Sequence, residues 1–244
     1  DLAAGRPPAV AVNMICSIDL LVARRLGLDK LAVRTPRAHM INVAAVSQET
    51  FSWQFVAEYL MEAGATVTAM ETTARDAASI AAALDGEGCD LLLLIGGTGD
   101  GRSDMTAEAL ARRGVLIAHR LALRPGGTTA IGRLGDIPVI ALPGSPDQAF
   151  AAFLALVQPV LDHLSGRSER SGIPLPLSRK IPSAIGLSEI ALLGREQGAW
   201  APLAVGNFSL DAMRMADAWL AVPDDSEGYA AGTPVAAFPL RSMN

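Results

Sequence analysis

A glycine-rich loop is the segment of this sequence that is best suited to bind a ligand. The stretch GGTGDGRSDMT, residues 96–106, directly follows the apolar run DLLLLI and precedes a segment with helical periodicity. Where a buried strand leads into a helix, backbone N–H groups and the helix dipole can bind an anion, and glycines let a ligand approach the backbone. The glycine spacing matches neither a Walker A loop nor a G-x-G-x-x-G loop. The sequence therefore predicts an anion site of another type. The alternative is a flexible connecting loop in which Asp104 caps the next helix.

Two further turns are candidates for the same site. LPGSP, residues 142–146, joins a predicted strand to a predicted helix, and RPGG, residues 124–127, carries the fixed charge of Arg124. Loops at the carboxyl ends of parallel strands flank the crevice in which open α/β sheets usually bind ligands. We therefore expect the glycine loop and the LPGSP turn to share one crevice, and Arg124 could pair with a phosphate. The alternatives are a helix-initiating turn with Pro146 near its first position and a solvated arginine.

Two acidic residues of the glycine loop are candidates for catalysis. Asp100 and Asp104 lie four positions apart, a spacing that would allow them to share a hydrated Mg²⁺ or a proton. The alternative is that they only cap the helix. Ser145 lacks a G-x-S-x-G setting and has no histidine nearby in sequence, so a serine nucleophile is not expected. The three histidines and two cysteines are scattered, which excludes a local zinc clamp.

The elements that must position these loops follow an α/β pattern. From Ala38 onward, apolar segments with strand character alternate with segments of helical periodicity, which is typical of a mostly parallel sheet flanked by helices. The segment VLIAHRLAL reads as one strand, and a hairpin that turns at Gly135 and Asp136 follows the RPGG turn. A long helix is predicted from Asp147 to Leu164.

The last part of the chain has a different pattern. Short strand candidates surround one short helix near residues 210–215, which predicts a small β-rich C-terminal domain. A segment rich in Ser, Gly, Pro and Arg precedes them and reads as a linker. The predicted divisions are an N-terminal segment with its helix (1–37), the α/β domain (38–166), the linker (167–178) and the β-rich domain (179–244).

Composition narrows the classes of partner. The 244 residues are 50% hydrophobic and 18% charged, with a net charge of -5 and no run of Lys or Arg, so no nucleic-acid partner is expected. No apolar stretch approaches the roughly 20 residues that cross a bilayer, and the first residues do not read as a secretory signal. Two cysteines fit a reducing compartment, so we expect a cytoplasmic protein with a small-molecule partner.

The three motifs, taken in order, resemble those of a known family. GGTGDGRSDMT, RPGG and LPGSP, followed by a helix with a Gln158-Pro159 step, are similar to the molybdopterin-binding domain of the MoeA and gephyrin E-domain type, the molybdopterin molybdenumtransferases. In that family a GGxSxGxxD loop, a KPGKP turn and an LPGNP turn surround the pterin site. The resemblance covers about residues 26–166 and continues weakly into the C-terminal domain. It implies binding of molybdopterin or adenylylated molybdopterin, with Mg²⁺-assisted insertion of molybdate.

The resemblance also implies a set of site residues. Those of the glycine loop would donate N–H groups to the phosphate or pterin or hold the start of the next helix. Those of the RPGG turn would form a positive rim, opposite a wall made by the LPGSP turn. The implied ligand-binding residues are Gly96, Gly97, Thr98, Gly99, Asp104, Thr106, Arg124, Gly126, Pro143, Gly144, Ser145 and Pro146. Asp100 and Asp104 are the candidate catalytic residues, and Asp104 is the candidate metal ligand.

Several departures from the family pattern define the alternatives. The family's TGDEL loop, whose acids belong to the active site, is replaced here by MINVAAVSQETFS, residues 40–52, and the second lysine of KPGKP is lost. The family's large N-terminal region, which contributes to dimerisation, is not matched, which leaves a homodimer open. Pterin binding is therefore better supported than molybdate insertion. The alternative is a non-catalytic pterin-binding carrier or regulatory protein, and a nucleotide-binding enzyme unrelated to molybdenum is disfavoured by the glycine spacing.

Overall fold

The computed structural model describes residues 13–44, 51–84 and 87–240, and within them the chain forms an α/β part followed by a β-rich part. The helices are α1 (Ser17–Arg25), α2 (Phe51–Glu62), α3 (Ala77–Ala83), α4 (Thr106–Arg113), α5 (Pro146–Ala152), α6 (Gln158–Ser165) and α7 (Leu210–Met215). The strands are β1 (Arg37–Val43), β2 (Thr66–Thr73), β3 (Leu91–Ile95), β4 (Val115–His119), β5 (Leu123–Arg124), β6 (Ala130–Leu134), β7 (Ile137–Leu142), β8 (Ile173–Pro176), β9 (Ile181–Pro182), β10 (Ser188–Glu196), β11 (Ala199–Val205), β12 (Ala218–Val222), β13 (Gly228–Tyr229) and β14 (Pro234–Pro239).

The first sheet has the strand order β2-β1-β3-β7-β6-β4. Strands β2, β1, β3 and β7 pair in parallel, and β6 pairs antiparallel with both β7 and β4. All five residues of β3 are buried, as its continuous apolar sequence predicts for a central parallel strand. The mostly parallel sheet and the β6–β7 hairpin are therefore confirmed.

Helices cover both faces of this sheet. On one face, α2 and the α5–α6 segment bury residues such as Val56, Leu60 and Phe153 against alternate residues of β1 and β3. On the other face, α3 and α4 bury Ile80 and Leu110 against the remaining residues of the same strands. Because side chains alternate along a strand, β3 supplies residues to both cores.

The predicted long helix is interrupted in its middle. A π-helical turn, Phe153–Val157, separates α5 from α6. Pro159 follows this turn and has no N–H group, so it cannot make the α-helical bond to the carbonyl of Ala155. A π-helical turn next to such a position accommodates the missing bond. The helix ends at Gly166, which adopts the left-handed conformation with φ 68°.

The second sheet has the order β11-β10-β12-β14-β8, and β5 pairs in parallel with β10. The segment VLIAHRLAL is therefore not one strand. After β4 the chain turns at Arg120, with φ 59°, leaves the first sheet and adds β5 to the second. Strand β8 lies within the predicted linker and pairs with β14 at the edge of the sheet. Its two prolines, Pro174 and Pro176, obscure the strand in the sequence but are tolerated at a sheet edge.

The two parts share a hydrophobic core. Phe150 and Leu154 of the long helical segment pack with Ile190, Leu192 and Trp219 of the second sheet. The long helical segment therefore packs against both sheets. None of the helices within the described ranges is long and apolar enough to cross a membrane.

Candidate functional site

The glycine loop and the LPGSP turn meet at one edge of the first sheet. Because β3 and β7 are parallel neighbours, their carboxyl ends lie side by side. The N–H of Gly96 donates to the carbonyl of Leu142 at 2.9 Å, and a Cβ at Gly144 would lie 3.6 Å from the Cα of Gly96. Ser52 of α2 adds a hydrogen bond from its Oγ to the carbonyl of Gly144 at 2.7 Å. The expected juxtaposition of these two loops is observed.

The backbone of the glycine loop is closely packed. Gly96 and Gly97 have φ values of 100° and 65°, and Cβ atoms there would lie 2.6 Å from the carbonyl oxygen of Val43 and 2.5 Å from Thr106 Oγ1. Thr106 is fully buried and donates its Oγ1–H to the carbonyl of Gly96 at 3.0 Å. The side chain of Thr106 therefore supports the loop, rather than being available to a ligand as the resemblance implies.

Three consecutive N–H groups of the loop point to ligand binding. Those of Gly97, Thr98 and Gly99 have no hydrogen-bond acceptor in the part of the chain that the structure describes. Native proteins rarely leave successive backbone donors unpaired, and such a group is a common anion-binding nest. The N–H of Gly96, in contrast, is already used by Leu142, so Gly96 does not serve as the predicted donor.

Asp104 is enclosed by the glycine loop, to which it belongs. Its Oδ1 accepts from Arg75 Nη2 at 2.5 Å, and its Oδ2 accepts from the N–H of Gly101 at 2.9 Å. The residue that precedes α4 is Met105, so Asp104 is not the helix cap that the sequence suggests. A Cβ at Gly99 or Gly101 would approach Oδ2 to 2.8 Å, which shows how closely the loop surrounds the carboxylate.

Asp100 has a different partner. It accepts from Arg120 Nη2 at 2.5 Å, and both side chains are about 70% exposed. Asp100 and Asp104 are thus bound by different arginines. No group of three or more His, Cys, Asp or Glu residues that could bind a metal occurs in the described ranges. Both carboxylate oxygens of Asp104 thus accept hydrogen bonds from the protein.

Arg124 of the RPGG turn is not the unpaired cation that was expected. Its Nε and Nη2 donate to Oε1 of Glu189 in β10 at 2.8 and 2.5 Å. Burial raises the pKa of Glu189, but the hydrogen bonds from Arg124, Ser183 and the N–H of Ala184 outweigh it and leave the pKa below its ordinary value. Glu189 is therefore an ionised partner of Arg124.

A second row of contacts joins the RPGG region to the glycine loop. Thr98 Oγ1 and Thr128 Oγ1 are 3.3 Å apart, and Nε2 of His119 donates to the carbonyl of Thr98 at 3.1 Å. His119, Arg75 and Arg120 were not predicted from the sequence. Their positions in the sequence could have identified them, because each of them ends or follows a strand whose carboxyl end lies at this edge of the first sheet.

The LPGSP turn lies beside the glycine loop. Pro143 is buried, Gly144 is exposed, and Pro146 occupies the first turn of α5. The Oγ of Ser145 is buried and has no hydrogen-bond partner within the described ranges. Of the segment that replaces the TGDEL loop, residues 40–52, the central residues 45–50 lie outside the described residues.

Comparisons with known proteins agree with this arrangement. A family model described as a probable molybdopterin binding domain matches residues 46–163. Molybdopterin molybdenumtransferase 2 of Mycobacterium tuberculosis is 26% identical over 273 residues, which cover 98% of this chain and 65% of the relative. A molybdenum cofactor biosynthesis bifunctional protein of Synechococcus elongatus is 36% identical over 136 residues, which cover 50% of this chain and 42% of that protein. The chain thus spans less than two thirds of these relatives.

Solved structures show the same fold. A molybdopterin biosynthesis MoeA protein of Pyrococcus horikoshii superposes with a TM-score of 0.75 at 20% identity, covering 92% of this chain and 59% of that one. A molybdenum cofactor biosynthesis protein of Pyrococcus furiosus gives a TM-score of 0.71 at 21% identity, covering 92% of this chain and 76% of that one. Residues 46–163 therefore match a probable molybdopterin binding domain, and the relatives support a domain of the MoeA type there.

Proposed function

We propose that this protein acts in molybdenum cofactor biosynthesis by binding molybdopterin, or its adenylylated form, in the crevice between the glycine loop and the LPGSP turn. The observation that carries the proposal is that the N–H groups of Gly97, Thr98 and Gly99, next to the LPGSP turn, have no acceptor among the described residues. The family match supports the pterin as the class of ligand.

The charges around the crevice suggest how the ligand is bound. Arg75, Arg120 and Arg124 each have a carboxylate partner, so these three side chains are not unpaired cations. The ligand's phosphate would be bound first by backbone N–H groups. Arg120 could then exchange its exposed partner Asp100 for the phosphate, because an exposed ion pair is weak.

Calorimetric titration tests the proposal. Molybdopterin and adenylylated molybdopterin are titrated into the protein, with ATP as the control for a site that recognises any nucleotide. We expect binding of at least one of the two pterins and much weaker binding of ATP. Binding of ATP alone would instead support a nucleotide-binding protein.

A second candidate function is that of a non-catalytic pterin carrier or regulatory protein. It is favoured by the arginine partners of Asp100 and Asp104, which occupy the acids that would have to assist molybdate insertion. Reconstitution of a molybdenum-free apoenzyme with molybdopterin, molybdate and this chain separates the two functions. A carrier binds the pterin without accelerating cofactor formation, whereas an insertase accelerates it.

Two properties of the whole protein belong to the same proposal. Helix α1 exposes apolar side chains, with Ile18 70% and Leu21 60% exposed, which supports a homodimer that covers this helix. Sedimentation of the protein and of an Ile18→Glu variant tests the homodimer. A dimer that forms through α1 should be weakened by the negative charge of the introduced glutamate. Neither Cys16 nor Cys89 forms a disulfide bond, which supports action in a reducing cytoplasm.

A further inference from the structure

We propose that Glu189, a residue of the C-terminal sheet, is a positioning residue of the pterin site. It fixes the guanidinium of Arg124 and, through it, the RPGG turn that adjoins the glycine loop. The inference rests on the function proposed above, and it assigns a role in ligand binding to the β-rich part of the chain.

Glu189 is a buried carboxylate, and both of its oxygens accept hydrogen bonds. It is 2% exposed, its Oε1 accepts both bonds from Arg124, and its Oε2 accepts from Ser183 Oγ at 2.8 Å and from the N–H of Ala184 at 3.1 Å. A buried charge is stable only when it is paired and hydrogen-bonded. The carboxylate is therefore fixed in orientation, and so is the guanidinium that it binds.

A third segment encloses the ion pair. Gly206, between β11 and α7, has a φ of 66°, and a Cβ there would lie 2.8 Å from Arg124 Nε and overlap Oε1 of Glu189. Only a glycine leaves room for the pair at this place. Residues from three separate segments thus meet at Arg124, although its own side chain is half exposed.

On its other side the RPGG turn is attached to the ligand site. A Cβ at Gly126 would lie 3.2 Å from the carbonyl oxygen of Gln148 in α5, so the turn is packed against that helix. Thr129 donates both its N–H and its Oγ1–H to the carbonyl of Gly126, and Thr128 contacts Thr98 of the glycine loop. A displacement of Arg124 would therefore also displace the glycine loop through these contacts.

The ion pair also determines what Arg124 can offer to a ligand. It uses Nε and Nη2, so an anionic ligand would be bound by the remaining Nη1 amino group. Glu189 holds this group in one place before the ligand arrives. Without Glu189 the long arginine side chain would lose this preorganisation and the ligand would have to order it on binding.

The test is a double-mutant cycle read by calorimetric titration of molybdopterin. The proteins are the wild type, Glu189→Gln, Arg124→Gln and the double variant. Loss of one member of a buried ion pair destabilises a fold, so the melting temperature of each variant is also measured, and the double variant removes both charges together. Asp217→Asn is the matched control, because Asp217 also binds β10, at the N–H of Arg195, away from Arg124.

We expect Glu189→Gln to weaken molybdopterin binding about tenfold, the size expected when a charged hydrogen bond is lost. We expect the double variant to bind no more weakly than Arg124→Gln, Asp217→Asn to bind like the wild type, and Glu189→Asp to recover part of the affinity. Equal loss from Glu189→Gln in both backgrounds, or none in the wild-type background, would overturn the positioning role. If the wild type itself does not bind molybdopterin, the function proposed above is wrong and this inference falls with it.

Discussion

Arg120 is the residue whose charge is most readily redirected to a ligand. Its partner Asp100 is exposed, and both follow strands or loops at the ligand edge of the sheet. We predict that Arg120→Gln weakens molybdopterin binding about fivefold, since one charge-assisted hydrogen bond is lost. Arg112→Gln is the control, because Arg112 is another exposed arginine with a carboxylate partner, Glu108, but lies in the last turn of α4. Equal affinities of the two variants would show that Arg120 does not bind the ligand.

Gly97 is required by the close packing of the glycine loop, which the sequence motif alone does not indicate. A motif of glycines suggests only close approach by an anion, but Gly97 has a positive φ and a Cβ there would lie 2.5 Å from Thr106 Oγ1 and 2.9 Å from Val43 Cγ1. We predict that Gly97→Ala lowers the free energy of unfolding by more than the roughly 1 kcal/mol that a left-handed alanine costs. Gly135→Ala is the control, because Gly135 also has a positive φ but has no atom within 4 Å of a Cβ. Urea unfolding of both variants measures the difference, and equal losses would contradict the packing role.

Glu189 should make stability depend on pH. Its pKa in the folded protein lies below the ordinary value near 4.5, so its contribution is present above that value and is lost as the pH falls through the folded pKa. We predict that the wild type loses free energy of unfolding on acidification and that Glu189→Gln lacks this component. Urea unfolding between neutral and acidic pH measures it. Parallel pH profiles for the two proteins would show that Glu189 is not an ionised partner of Arg124.

At the scale of elements, the sequence predicts what periodicity encodes. The continuous apolar run of β3 and the alternation of strands with helices are sufficient for the parallel sheet, and topology then places the glycine loop beside the LPGSP turn. Strand β5 and strand β8 were not predicted. Their pairing depends on partners more than 50 residues away, on β10 and β14, so no local pattern reveals it.

The same limit explains what was missed in the site. The arginine partners of Asp100 and Asp104 lie 20 and 29 residues away along the chain, and that of Glu189 lies 65 residues away. Residue types and spacing identify the acidic residues of the glycine loop as candidate site residues. They do not indicate which distant cation pairs with each of them.

The segment after α6 is attached to that helix by a shared carboxylate. Asp162, 11% exposed in its side chain, binds Arg167 at 3.3 Å and Arg170 at 2.6 Å. Burial lowers the pKa of Arg167, and the charge of Asp162 opposes this effect. We predict that Asp162→Asn lowers the free energy of unfolding by about 3 kcal/mol, because it leaves two cations without their carboxylate. Asp211→Asn, which breaks the exposed pair with Arg214, should change it by less than about 0.5 kcal/mol. Equal effects in urea unfolding would exclude this role.

At the scale of the whole molecule, the proposed ligand site combines loops that are held by both parts of the chain. The glycine loop and the LPGSP turn belong to the first sheet, whereas the RPGG turn is held by the second sheet through β5 and Glu189. The core shared by Phe150, Leu154 and Trp219 joins the two parts of the chain. We therefore expect the β-rich part to be required for full ligand affinity, in addition to the domain that the family model covers.

The position of the ligand is tested most directly by amide NMR. Molybdopterin is titrated into ¹⁵N-labelled protein, and the backbone shifts are followed residue by residue. We predict the largest changes at the N–H groups of Gly97, Thr98 and Gly99, with a smaller change at Gly144 on the opposite wall, because these surround the unpaired donors of the crevice. Binding that leaves these four amides unshifted, while amides elsewhere in the chain respond, would contradict the assignment of the site.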